Sequence, residues 1–309
     1  PGILIFLLFT AMLFSPREVF SGAEDGLLLW FNTVFPTLFP FMLVSGLMMA
    51  GGGLDVISGI FGKALGRIFA VSGSGAFAVL TGFLCGYPMG AKAAADLLLS
   101  GRITKNEGQY LLSFCNNTSP AFIINFVVWK TLGRENLLAP SLIILFGVPV
   151  FLSFFFRRLY LKGQRSFRAP EGSRDIPGRA FDFSVFDSCM MDSFGAIVKV
   201  GGYIIAFSIL LSLCRDMGNL PAANYLLPSL EITNGVVMLR ENIRDFRICY
   251  PLIMGLTSFG GFCSVAQTEC MLRGTGIPIL PYLAQKLAAA AAASFLAYLY
   301  ITFFQIIPS

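Results

Sequence analysis

The sequence predicts an all-α integral membrane protein, built as inverted repeats with two re-entrant helical hairpins and broken transmembrane helices. Three observations lead there. The chain is 56% hydrophobic and 13% charged, against roughly a quarter charged in a soluble domain. Four apolar runs, 27–50, 137–156, 193–213 and 279–303, reach the about 17–25 residues that a bilayer crossing needs. Two further apolar segments are interrupted near their midpoints by glycines.

Taken in order, 3–14 is apolar but too short to cross alone. The chain opens on Pro1 with no basic stretch before this run, which suggests a truncated helix or uncleaved anchor rather than a signal peptide. Residues 22–31 and 54–69 read as interfacial amphipathic helices, with Glu24, Asp25, Asp55, Lys63 and Arg67 towards water. The first interrupted segment, 74–100, turns at Gly86-Tyr87-Pro88-Met89-Gly90. The second, 248–273, turns at Gly260-Gly261. Each arm has about ten residues, which at 1.5 Å per residue reaches only halfway through a ~30 Å core. A helix that enters, turns on glycine and returns is the expectation for both.

The two hairpins also align. A shift of 175 positions places Gly86 on Gly261, Tyr87 on Phe262 and Lys92 on Gln267. The expected organisation is an N-terminal helix and interfacial segment at 1–26, a first repeat at 27–156, a basic cytoplasmic loop at 157–182 and a second, inverted repeat at 183–309. The loop holds seven basic against three acidic residues and sets the orientation by the positive-inside rule. Eleven Lys and Arg then fall inside and eight outside. Matching helices cross in opposite directions, as in carriers built around a midplane site.

Composition also excludes chemistries. With no histidine in the chain, Ser-His-Asp nucleophilic sites and His-ligated zinc are ruled out. An enzyme, not expected here, would need an acid/base pair, for which only Asp96, Glu231 and Glu269 are candidates, and the lack of a nucleotide-binding loop speaks against an ATP-driven pump unless a partner supplies the motor. No metal site or cofactor is expected either, apart from a coupling Na⁺ or H⁺. The seven cysteines form no C-x-x-C pair and read as small buried hydrophobes. The basic loop lacks the interleaved aromatics of a nucleic-acid surface. The expected partners are the lipid bilayer and a small organic anion, and self-association stays open.

Polar groups at membrane depth are the candidate sites, because each must be satisfied away from water. At the first tip, Gly86, Tyr87, Met89 and Gly90 leave helix N-terminal amides free, and Lys92 adds a full charge, which together would hold an anion. The competing reading pairs Lys92 with Asp96 four residues on. Thr104 and Glu107 have capping-box spacing, and the helix they start should break before Pro120. That break exposes Asn116, Asn117, Thr118 and Ser119. Glu231, Thr233 and Asn234 interrupt a second apolar stretch. Gly261, Phe262, Gln267 and Thr268 would complete the substrate site from the second hairpin, with Tyr87 and Phe262 sandwiching a ring. Asp96, Glu231, Asn234 and Glu269 are the candidates for ion or proton coupling.

The stretch Phe35-Pro36-Thr37-Leu38-Phe39-Pro40-Phe41, the tip from Gly82 to Lys92, residues 114–122 and Phe259-Gly260-Gly261-Phe262 resemble the YlbJ family of sporulation integral membrane proteins. The resemblance runs over nearly the whole chain, and Gly-Tyr-Pro-x-Gly-x-Lys is its most specific signature. It implies nucleoside-recognition Gate domains and an architecture similar to concentrative nucleoside transporters. Gln267-Thr268-Glu269 also looks like the base-reading hairpin motif of those carriers, without the proline that usually follows. The function implied is a secondary carrier in the bacterial cell membrane or a membrane around the forespore, moving dipicolinate by alternating access. A nucleoside or other metabolite carrier and a non-transporting sporulation scaffold are the alternatives.

Overall fold

The computed structural model describes residues 2–162, 166–167, 182–215 and 223–304. Most of the basic loop at 157–182 lies outside these residues. Fourteen α-helices follow one another: α1 Gly2–Phe14, α2 Pro16–Leu29, α3 Phe35–Ala50, α4 Gly53–Phe69, α5 Gly73–Cys85, α6 Met89–Leu99, α7 Lys105–Cys115, α8 Leu138–Leu161, α9 Phe183–Arg215, α10 Ala223–Leu226, α11 Ile232–Asn242, α12 Phe246–Phe259, α13 Gly261–Met271 and α14 Ile279–Phe303. Two π-helical stretches, Trp30–Val34 and Phe122–Leu132, are joined to them. No strand occurs among the described residues.

Five helical lengths are long and apolar enough to cross a membrane: Pro16–Ala50, Glu135–Leu161, Phe183–Cys214, Phe246–Met271 and Ile279–Phe303. The pair α4 and α5 makes a sixth if counted as one span, and its two helices meet at 86°. Large apolar side chains stand outward along these lengths, among them Ile143, Phe151, Leu280 and Phe295. Such a surface is soluble only in lipid. The chain is a multi-pass membrane protein.

Close backbone approaches hold the helices together, as expected where lipid removes the hydrophobic drive for helix pairing. On α2, Gly22 and Gly26 lie against Ile209 and Ile205 of α9, where an added Cβ would sit 2.8 Å from each Cα. On α14, Ala289, Ala293 and Ala297 are buried and let α12 pack along it. Residues 22–31 are therefore no separate interfacial lead-in. They belong to the continuous helical length Pro16–Ala50, with Glu24 and Asp25 exposed opposite the glycine seam.

The two predicted hairpins part company. At the first, α5 turns into α6 across Gly86-Tyr87-Pro88 and the two helices pack on each other. At the second, α12 and α13 form one apolar length of 26 residues, and α12 packs along α14 instead of folding onto α13. The reason is burial. Eleven of the fourteen residues of α12 are buried, so the helix runs through the centre of the molecule and its flanks are already taken.

The capping box is half formed. Thr104 Oγ1 accepts the Glu107 N–H at 3.2 Å, but the Glu107 carboxylate does not return to Thr104. Its Oε1 accepts the Ser72 N–H at 2.6 Å, bracing the start of α5 to α7. Ser72 in turn caps α5 by accepting the Gly75 N–H at 3.1 Å.

Candidate functional site

The helix that starts at Thr104 ends at Cys115, and the next turn begins at Pro120. Proline has no N–H to donate and its ring clashes with the carbonyl four residues back, here that of Asn116. Between them lies an unwound stretch of polar groups, almost wholly buried. Asn116 is fully buried and satisfies three partners. Its Oδ1 accepts the Ala91 N–H at 3.2 Å, and its Nδ2 donates to Thr268 Oγ1 and Tyr282 Oη, both at 2.9 Å. One amide thus joins α6, α13 and α14. The Asn117 carbonyl accepts the Tyr87 N–H at 2.6 Å, and its Nδ2 donates to the Phe114 carbonyl. Thr118 Oγ1 donates to the Thr257 carbonyl of α12 at 2.6 Å.

Beside this break a cavity of about 460 Å³ opens, within the ~300–1,000 Å³ typical of small-molecule sites. The α2–α3 length, α9, the tip between α5 and α6, the π-helical Phe122–Leu132, the start of α11 and the first turns of α13 enclose it. Most of its wall is apolar. The polar groups include Tyr87, Thr118, Ser119, Glu231 and Gln267, and among the described residues no lysine or arginine lines it. Glu231 sits where a 3₁₀ turn, Leu227–Ser229, gives way to α11. Its carboxylate is 3% exposed and accepts the N–H groups of Thr233 and Asn234 at 3.0 and 2.9 Å. These are the otherwise unpaired donors of a helix N-terminus, which explains how the charge is held away from water.

Six of the polar residues singled out from the sequence therefore share one cavity: Tyr87, Thr118, Ser119, Glu231, Thr233 and Gln267. Asn116, Asn117 and Thr268 stand behind its wall as the bonds that hold the break. Others lie elsewhere. Gly86, Met89, Gly90 and Gly261 are buried in backbone packing. Of the three amides expected to be free at the α6 N-terminus, two are occupied, Met89 N–H by the Gly86 carbonyl and Ala91 N–H by Asn116. Lys92 Nζ pairs with Asp96 Oδ2 at 2.7 Å, so the competing ion-pair reading describes it, and neither residue lines the cavity. Phe262 is 42% exposed and packs edge-on against Phe259, so it forms no sandwich with Tyr87. Glu269 is exposed. Asn234 Nδ2 reaches Ser208 Oγ at 3.4 Å.

One polar residue escaped the sequence reading. Lys286, in the middle of α14, is 2% exposed. Its Nζ donates to the Asn116 carbonyl at 3.2 Å and to Asn117 Oδ1 at 3.3 Å. An intramembrane lysine is a functional candidate by default, and this one stands just before the alanine run 288–293 in a long apolar span. Its neighbour Gln285 donates to Tyr160 Oη at 2.6 Å.

No family model matches the chain, and no solved structure matches it. The chain is similar to the sporulation integral membrane protein YlbJ of Bacillus subtilis (strain 168), 35% identical over 123 residues. The match takes in 40% of this chain and 30% of that protein, less than the near-complete resemblance read from the motifs. The similarity to YlbJ is confined to that stretch, and the chain spans about a third of that protein's length.

Proposed function

We propose that the protein is a secondary membrane carrier for a small, neutral, polar solute with a flat ring, of the nucleoside type. It would work by alternating access at the cavity beside the Asn116–Ser119 break. The observation that carries this reading is the buried Glu231 in a cavity whose wall has no basic side chain among the described residues. A carboxylate already held by two amides accepts further hydrogen bonds from hydroxyls or ring N–H groups, and Tyr87 and Phe122 offer aromatic surface. Two interrupted helices meeting at one cavity are what a midplane carrier site requires. The inverted-repeat arrangement and the re-entrant placement of α5 and α6 belong to this proposal.

A dianion such as dipicolinate is the second reading. The relative's role in sporulation favours it. Glu231 opposes it, because like charges in a low-dielectric cavity repel strongly, and Lys92 is engaged by Asp96. The test is uptake into proteoliposomes of labelled uridine and labelled dipicolinate, side by side. Uridine uptake above that of empty vesicles, lowered at least about tenfold by Glu231→Gln, is expected for a lost charge-assisted bond of ~1.5 kcal/mol or more. Uptake of dipicolinate alone would transfer the proposal to the anion. No flux of either above empty vesicles would favour a membrane scaffold.

A further inference from the structure

The Asn116–Ser119 break presents two oxygens to one point, a main-chain carbonyl freed by the loss of helix and a side-chain amide oxygen. Unwound carbonyls and amide oxygens of this kind are what coordinate a coupling cation in broken-helix carriers. Here the point is already taken by Lys286 Nζ, at 3.2 and 3.3 Å from the two oxygens. An ammonium has three donors, and the third has no acceptor among the described residues. No carboxylate forms an ion pair with it among those residues.

We infer that Lys286 is the proton-coupling site of the carrier, a cation tethered to the chain that takes the place of a bound metal ion and leaves the break when it loses its proton. The inference rests on the carrier reading above. The protonated amine holds the Asn116 and Asn117 oxygens and so fixes the unwound stretch. Asn117 transmits the state to the cavity, because its carbonyl also accepts the N–H of Tyr87, a cavity residue. A neutral amine donates more weakly to the same oxygens and frees the stretch to move. The proton leaves Nζ for solvent on one side of the membrane and is regained from the other, so the step needs no further reactant.

Among the described residues, the ionisable groups of the elements packed around Lys286 form no ion pair with it. On α7, Glu107 gives one carboxylate oxygen to Ser72 and its buried Oε2 has no hydrogen-bond partner among the described residues, Lys105 heads the helix, Tyr110 donates to the Phe69 carbonyl, and Cys115 is a buried thiol next to the break. On α8, Arg157 stands over the Phe154 ring, Arg158 ends the helix and Tyr160 bonds Gln285. On α12, Arg247 and Cys249 lie in the first turns, and Tyr250 pairs with Ser141. On α13, Glu269 is exposed, and Cys263 and Cys270 are thiols. On α14 itself, Tyr282 is bonded to Asn116.

Two measurements test it. In proteoliposomes, an inward proton gradient should drive accumulation of the labelled solute by the wild type. Lys286→Met and Lys286→Arg should abolish that accumulation while keeping solute exchange down its own gradient. Accumulation retained in both variants would overturn the inference and leave the carrier standing. The second measurement needs no transport. In a protein keeping Cys115 as its single cysteine, maleimide labelling should rise with pH about tenfold per unit beyond thiolate formation, as release of one proton on opening requires. Lys286→Arg, always charged, should remove that excess. The same pH profile in both proteins would sink the inference, whether or not the protein carries anything.

Discussion

The two glycine turns, Gly86-Tyr87-Pro88 and Gly260-Gly261, look alike in sequence and do different things. At the first, Gly86 takes φ +83° with an extended ψ, and the following proline cannot continue the α5 ladder. The chain reverses, and α6 lies back on α5. At the second, two successive glycines at φ +87° and +79° break the ladder, yet α13 carries on from α12 as one span. The difference lies in the neighbours. The arms α5 and α6 close around the Asn116 break, whose carbonyls and amides fill their junction. By contrast, α12 is wrapped by α8, α11 and α14. A glycine turn permits a hairpin, and the free flank of its first arm decides whether one forms.

The sharpest way to break this comparison is to fill the first junction. A Cβ at Gly82 would strike the Cys115 carbonyl, so Gly82→Val should cost about 3 kcal/mol or prevent folding. Thermal unfolding in detergent reads this, and an unchanged melting temperature would show that the arms do not need their close approach. Asn116→Ala comes next. It strands the Ala91 N–H and leaves two hydroxyls a partner short, at about 2–3 kcal/mol. Faster hydrogen exchange in α6 and α13, but not in α12, is expected. Exchange spread evenly over the molecule would contradict the joint described here.

Smaller effects belong to the second turn and the ion pair. Gly261→Ala places a Cβ in the left-handed region, costing about 1–2 kcal/mol, with Ser229 O only 3.1 Å from it. The loss should appear as a lowered melting temperature with the cavity residues still reactive in cysteine scanning. Lys92→Ala removes a half-exposed pair, worth about 0–1 kcal/mol. Solute uptake should stay near wild type, and a large loss would return Lys92 to the binding site.

The sequence reading went furthest where a single residue type forces the backbone. Pro120 dictated the break, Thr104 announced a helix start, and long apolar runs marked the spans. It failed where packing decides. Whether Gly260-Gly261 reverses the chain depends on α14 lying beside α12, which no local pattern records. The same holds for the α6 amides, which are free in sequence but met in space by Asn116 from 25 positions away. Lys286 could have been found. One charged side chain within an otherwise uncharged span is a signal in itself, and averaging hydropathy over the span conceals it.

The seam between α2 and α9 has a mechanical consequence. With Gly22 and Gly26 set against the α9 backbone, these helices cannot slide or separate without backbone collision or loss of the whole contact. The wall they give the cavity is therefore its anvil. Phe122–Leu132, the π-helix that follows the Asn116–Ser119 break, lines the same cavity. On the carrier proposal it is the wall that would move, with the solute passing Phe122 and Asn125 while the glycine seam stays shut.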